Sequence, residues 1–345
     1  MSHIFYIHSW ICYLVAEKVI QHERIQTENV TFLFARGFNA GRDCIYKHII
    51  FPFDMPYEYF HPTKNFFKGR FRLWKLDKFI DNITAGYYVA YWPHEHFIYG
   101  KLINSSKNCK GYYLIEEGLG SYNKQNAECA DSQESFVFNM YLKASFGSRL
   151  ASEASQKKYL GAYGLSEAVF PGRSNVKSLR QYLVTDTYSR EYDQYQNSII
   201  IVFDAVVEAK MIPLNIVLDV FKKLLDSIRF RNKKIYIKFH PASYLDNIFV
   251  TAVTAIIDYE YTTLGVSIID TPISLELLAG HVDAEFYVNV SSVGLYANLQ
   301  GRVVYSFANL LASEYPLFRK KIDVLPDIFH DSVKFLNDFK SPALI

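Results

Sequence analysis

Tyr113-Leu114-Ile115-Glu116-Glu117-Gly118 is an apolar, strand-forming run that stops abruptly at two carboxylates. In the other half of the chain, Ile235-Tyr236-Ile237-Lys238-Phe239-His240-Pro241 stops in the same way at a histidine. In an open α/β sheet, ligands bind just outside the carboxyl ends of the strands. The carboxylate pair and the histidine therefore read as a base and an acid facing each other across a cleft.

The same alternation extends outward in both directions. In the first half Ile4–Ile7, Val30–Phe34, Gly86–Trp92 and Gly111–Ile115 read as strands, and Trp10–Gln21, residues 134–160 and residues 175–183 as helices. Thr185–Asn197 is polar and unpatterned, and is the linker candidate. Beyond it Ser198–Phe203, Lys234–Phe239, Val266–Ile269, Phe286–Val290 and Val303–Phe307 read as strands. Pro213–Ile228 is an amphipathic helix with proline at its start, and Ile273–Ala279 a shorter helix. The prediction is an α/β protein of two Rossmann-like, doubly wound domains, residues 1–188 and 198–345, facing a central cleft. The last helices are expected to stay with the second domain or to pack back on the first.

Composition bounds the reading. A chain of 345 residues is long for one core, and with half its residues apolar and 27 each of Tyr and Phe it can bury two. A net charge of +2 leaves no footprint for nucleic acid, so no nucleic-acid partner is expected. Cys12, Cys44, Cys109 and Cys129 are scattered without a C-x-x-C, which excludes a disulfide framework or structural zinc site and suits reduced thiols in a cytoplasmic protein. His3–Ala16 lacks a basic leader and is too short to span a bilayer, so it reads as a buried strand running into a helix.

Residues 57–80 interleave Lys64, Lys68, Arg70, Arg72, Lys75 and Lys78 with aromatic side chains. Two readings stay open: a packed amphipathic helix with a solvated basic face, or a contact with a membrane surface or an anionic glycan.

Four motifs bear on chemistry. Adjacent Glu116 and Glu117 repel and raise one another's pKa, and Gly118 permits the turn that presents one of them. Lys238 shares a strand face with His240, so the two can meet a phosphate together, and Pro241 restricts the histidine's backbone. His61-Pro62 lacks a lysine two residues earlier and is background. Ser291 and Ser292 lie between a strand and a helix, where hydroxyls either hold a phosphate or cap the helix. Glu276, early in its helix, either accepts from ribose hydroxyls or suits the helix dipole. His94 and His96 share a face, but a metal needs a third ligand, so they join Ser9 and Arg36 as acceptor-side candidates.

In this order the motifs resemble those of the bacterial GT-B-type sialyltransferases: lipooligosaccharide sialyltransferases, capsular polysialyltransferases and the marine-type enzymes. These share a [DE]-[DE]-G motif, an HP motif and a Ser-Ser or Ser-Thr motif. The resemblance rests on the motif residues between Tyr113 and Gly294. It implies that Glu116 is the general base and that His240 protonates or hydrogen-bonds the departing CMP phosphate. It implies that Lys238, Pro241, Ser291 and Ser292 hold CMP, and Glu276 its ribose. Several relatives have Asp where this chain has Glu, which keeps Glu117 as an alternative base.

The implied function is inverting, metal-independent transfer of sialic acid from CMP-sialic acid to a glycan acceptor. The acceptor would be lipooligosaccharide, capsule or another surface polysaccharide, lipid-linked at the cytoplasmic face of the membrane. No metal or other cofactor is expected, and the chain has no Asp-x-Asp triplet. The alternatives are another CMP-activated nonulosonate or CMP-Kdo as donor, a GT-B-fold nucleotide-sugar epimerase, and a non-catalytic glycan-binding protein.

Overall fold

A computed structural model of the chain describes residues 1–40, 44–52, 62–84, 86–93, 98–123, 149, 157–182, 190–269 and 273–340. The chain forms two compact units, Met1–Tyr182 and Leu183–Ile345.

The first unit is built on a seven-stranded sheet in the order β3-β2-β1-β4-β5-β6-β7. Its strands are β1 (Ser2–Ile7), β2 (Val30–Phe34), β3 (Lys47–Ile50), β4 (Tyr88–Trp92), β5 (Cys109–Ile115), β6 (Tyr159–Gly164) and β7 (Val176–Ser178). Every pairing is parallel. Val30–Phe34 and Tyr88–Trp92 are buried at every position, which is what strands covered on both faces require.

Alternate side chains serve the two faces. Phe5, Tyr91, Tyr113 and Tyr163 form a ladder across four strands, with ring centroids 4.0, 5.4 and 4.9 Å apart in turn. Helix α1 (Trp10–His22) lies on that side, and Tyr163 donates its hydroxyl to Glu23 at the helix end, 2.6 Å. On the opposite face Tyr6 and Trp92 pack 4.1 Å apart, in one cluster with Leu76 and Ile80 of α2 (Pro62–Thr84) and Leu102 and Ile103 of α3 (Ile98–Ser105).

The second unit carries a six-stranded sheet in the order β10-β9-β8-β11-β12-β13, again parallel throughout. The strands are β8 (Ile199–Phe203), β9 (Ile235–Phe239), β10 (Val266–Ile268), β11 (Glu285–Val288), β12 (Val304–Ser306) and β13 (Lys334–Phe335). Helix α4 (Leu214–Ile228) buries Val217, Val220, Phe221, Leu224, Leu225 and Ile228, one stripe at helical spacing. Phe203 is the hub of this core, ringed by Phe221, Phe239, Phe249 and Phe307. Phe318, Ile322 and Leu336 join the same cluster, so the last segments are built into the C-terminal unit's core.

Several elements differ from the sequence reading. Residues 175–183 hold β7 and a 3₁₀ turn at Arg180–Tyr182 rather than a helix, because Val176–Ser178 pair with Ala162–Gly164. The helix expected over 134–160 falls mostly outside the described residues, but its end is the start of β6. β3 and helix α5 (Ile248–Glu260) had no counterpart in the sequence reading. Part of the linker candidate is packed: Arg190–Tyr195 is a 3₁₀ turn whose Gln194 carbonyl accepts the Tyr236 hydroxyl, 2.8 Å.

Phe203→Ala is expected to destabilise the protein by about 3–5 kcal/mol, the range for emptying a fully buried aromatic position. A lowered urea midpoint measures it, and an unchanged midpoint would show that Phe203 is not the hub of this core.

Candidate active site

A parallel sheet sends the carboxyl ends of all its strands to one edge, and a ligand crevice opens where the strand order reverses. In the first unit the reversal lies between β1 and β4; in the second it lies between β8 and β11. His8 follows β1 directly, and Glu116 and Glu117 follow β5. In the second unit Asp204 follows β8, His240 follows β9, and Asn289 to Ser292 follow β11.

The two glutamates have different surroundings. Glu116 is 0% exposed, and its Oε2 accepts the Leu165 N–H at 2.6 Å. Gly164 makes that approach possible, since a Cβ there would stand 2.8 Å from the same oxygen. Tyr122 is buried beside Glu116, and burial first, then the Glu116 carboxylate, pushes its phenol pKa far upward.

Glu117 keeps 23% of its side chain exposed and sits 3.3 Å from His8 Nε2. Its N–H donates to the Ser121 hydroxyl, 3.1 Å. Gly118, at φ 144°, makes the turn after the pair in a backbone region that favours glycine.

His8 is the residue that sequence reasoning missed. Its other ring nitrogen, Nδ1, lies 3.7 Å from Cys12 Sγ. Burial works against its charge, but Cys12 and Glu117 outweigh burial and raise its pKa from 6.5 to about 9. The signal was its position, the first residue past an apolar strand, as with Glu116 and His240. Neighbouring Ser9 caps α1 by accepting the Cys12 N–H, 3.3 Å, which is a structural role. Arg36 is exposed just past β2. His94 and His96 lie outside the described residues.

In the second unit His240 is exposed, and its Nδ1 accepts the Ala242 N–H at 3.1 Å. A neutral imidazole arranged this way carries its proton on Nε2, as a donor. Pro241 opens the 3₁₀ turn Pro241–Tyr244 that supplies this N–H. Lys238 is buried within β9, two residues before the histidine. Ser291 accepts the Val293 N–H at the start of α7 (Val293–Leu299), whereas the Ser292 side chain caps no N–H. Glu276 lies in the first turn of α6 (Leu275–His281), where its carboxylate takes a hydrogen bond from the Ser274 hydroxyl, 2.8 Å. Asn289 crosses the strand reversal, its Oδ1 accepting the Asp204 N–H at 3.1 Å.

The structure thus brings Glu116 and Glu117 to one strand end of the first unit, with His8 beside them. It brings Lys238, His240, Ser291 and Ser292 to the carboxyl edge of the second.

The sequence matches the family model "alpha-2,8-polysialyltransferase (POLYST)" over residues 60–279, more than half of its length. The chain belongs to the alpha-2,8-polysialyltransferase family. It is therefore a glycosyltransferase of the sialyltransferase kind. The matched span includes Glu116–Gly118, Lys238–Pro241 and Glu276, and ends before Ser291. Among curated protein sequences, none matches the chain.

Among solved structures, a putative UDP-N-acetylglucosamine 2-epimerase from Listeria monocytogenes aligns with TM-score 0.52 and 9% identity, over 96% of this chain and 90% of that one. The UDP-GlcNAc 2-epimerase of Methanocaldococcus jannaschii aligns with TM-score 0.50 and 8% identity, over 95% and 93%. At these identities the likeness shows the fold alone: two parallel-sheet α/β units of the GT-B type.

The His8 ion pair of this polysialyltransferase-family chain has a pH signature. A histidine with a raised folded pKa contributes stability that is complete below its unfolded pKa and is lost as pH rises through the folded one. The contribution of His8 should be full below about 6.5 and disappear through about 9. His8→Gln should therefore unfold more readily than wild type at about pH 6, with the gap closing by about pH 10. Urea midpoints at the two pH values check it, and a gap independent of pH would refute the ion pair.

Proposed function

We propose that the protein transfers sialic acid from CMP-sialic acid to a hydroxyl of a glycan acceptor, with inversion and without a metal ion. Family membership supplies the transferase class. The observation that carries the finer reading is His240: an exposed imidazole whose Nδ1 is occupied by the Ala242 N–H, leaving Nε2–H to meet a leaving phosphate.

The reaction breaks the bond from the anomeric carbon to a phosphate oxygen, and its electron pair leaves on CMP. Positive character grows on the sugar and negative charge on the phosphate, so catalysis needs donors at the phosphate and a base at the acceptor hydroxyl. His240 Nε2–H donates to the departing phosphate. Lys238, Ser291 and Ser292 hold CMP, Pro241 fixes the histidine's backbone, and Glu276 takes the ribose hydroxyls.

Glu116 receives the acceptor's proton as the acceptor oxygen attacks the face opposite the phosphate, the geometry of inversion. Glu117 stays the alternative base, its carboxylate already engaged by His8 Nε2 at 3.3 Å. Reaching Glu116 requires the acceptor to displace the side chains that cover it, and their cover keeps water from competing for the same place.

CMP release from CMP-N-acetylneuraminic acid, measured in EDTA with a panel of galactosides and sialosides, tests this. Release should depend on acceptor, survive EDTA, and fall by about 10²–10⁴-fold in Glu116→Gln and in His240→Ala. If Glu117→Gln alone abolishes turnover, Glu117 is the base. If CMP does not bind, the donor assignment fails.

The acceptor is read as a surface polysaccharide, lipid-linked, so the enzyme would meet a membrane at its cytoplasmic face. Helix α2 offers the contact. Phe71 and Trp74 are exposed with rings 5.7 Å apart, Lys75 Nζ lies 4.6 Å from the Phe71 ring and Lys78 Nζ 4.0 Å from the Trp74 ring. No helix among the described residues is long and apolar enough to cross a membrane, so the attachment proposed is peripheral. The protein should sediment with vesicles containing phosphatidylglycerol at low salt, leave them at high salt, and bind them more weakly as Trp74→Ala. No sedimentation at low salt would make this face merely solvated.

A further inference from the structure

Among the described residues of the second unit, three side chains bury polar atoms that have no hydrogen-bond partner. They are the Glu208 carboxylate oxygens, the Ser243 hydroxyl and the Asn289 amide nitrogen. Buried polar groups are almost always paired, so each of these calls for a reason. Their places in the fold supply one. Glu208 lies in the loop after β8, Ser243 in the 3₁₀ turn after β9, and Asn289 directly after β11. Those three strands are neighbours, in the order β9-β8-β11. The unmatched groups thus gather at the carboxyl edge, on both sides of the strand reversal, where a ligand crevice opens.

Asn289 is the most firmly held of the three. It is 0% exposed. Its Oδ1 accepts two N–H groups, from Asp204 at 3.1 Å and from Val290 at 2.7 Å. Its backbone carbonyl accepts the Ser306 hydroxyl from β12, 2.7 Å. Two N–H groups need an acceptor, so the amide oxygen must stand where they converge and the nitrogen on the other side. The fold therefore fixes this amide and leaves its donor end unmatched.

We propose that Asn289 is a phosphate contact: its Nδ2–H donates to a non-bridging oxygen of the CMP phosphate. The proposal rests on the reading of this carboxyl edge as the CMP site. The chemistry of the position suits an anion. Nδ2 can only donate. Ser291, two residues on, accepts the Val293 N–H through its hydroxyl oxygen and keeps its proton to donate. Asp204 Oδ1 is taken up by the Ala205 N–H, 2.8 Å. Nδ2 is covered, so the phosphate reaches it by displacing the side chains over it, and the bond forms away from competing water. As the bond to the sugar breaks, negative charge grows on the phosphate, and a donor fixed in advance meets that charge without rearranging.

Two variants of the full chain test this, each titrated with CMP and with cytidine, which lacks the phosphate. Asn289→Asp keeps the oxygen that accepts from Asp204 and Val290 and turns the donor into a second acceptor. Its CMP affinity should fall by about a hundredfold or more, since a carboxylate would face the phosphate. Asn289→Ala introduces no charge, so it serves where the aspartate variant does not fold. Its CMP affinity should fall by about tenfold to a hundredfold, the effect of losing a hydrogen bond to a charged group. Cytidine should bind both as it binds wild type, and melting without ligand identifies the folded protein.

Wild-type CMP affinity in folded Asn289→Ala would overturn the proposal. So would an equal loss of CMP and cytidine, because the amide would then serve the shape of the crevice and not the phosphate. The donor reading fails separately: a wild-type protein that does not bind CMP refutes it and this contact together. A wild type that binds CMP beside variants that bind it equally well refutes Asn289 alone.

Discussion

Parallel strands covered on both faces leave polar side chains almost no place within the sheet, and the rest of this molecule follows from that constraint. Tyr88–Trp92, Ile199–Phe203 and Ile235–Phe239 are buried at every residue. Polar chemistry is therefore pushed to the strand ends, and because all strands point the same way it collects at one edge of each sheet. His8, Glu116, Glu117, His240 and Ser291 all occupy such positions. Lys238 departs from this pattern as a charged residue inside a buried strand, which is unusual enough to suit its proposed work at a phosphate.

The buried strands were legible for the same reason that they are buried. Val30–Phe34, Ile199–Phe203 and Ile235–Phe239 are uninterrupted apolar runs, and no other element type competes for them at that length. The elements that escaped reading lack that signature. β3 is an edge strand, mostly exposed, with Lys47 and His48 in it. β6 carries Gly161 and Gly164, and β7 is three residues long. Helix α5 opens Ile-Phe-Val-Thr-Ala-Val-Thr, a β-branched run whose helical state is decided by the core it packs on, through Phe249, Val253 and Ile256.

Candidate site residues were legible as strand ends but not as partners. Nothing in Glu116-Glu117 says which carboxylate is enclosed. That is decided by Leu165 and Gly164, almost fifty residues on at the end of β6, and by His8 at the end of β1. One glutamate accepts a backbone N–H and the other faces a histidine, so two groups of identical chemistry acquire different partners. The sequence order of the motifs pointed to the family; the division of roles within one motif is a property of the tertiary structure.

The placement of β1 has a consequence for how the chain comes to be folded. Strand β1 lies in the interior of its sheet: it pairs with Val30–Phe34 on one side and with Tyr88–Trp92 on the other. During synthesis its first partner follows within a few tens of residues, but its second leaves the ribosome only after the whole of α2. For that interval β1 presents an unpaired apolar edge, the form of strand most prone to join another chain. A nascent chain stalled between residues 35 and 87 is thus the species most in need of a chaperone, and the basic residues of α2, which emerge in that interval, give it the charge that discourages association.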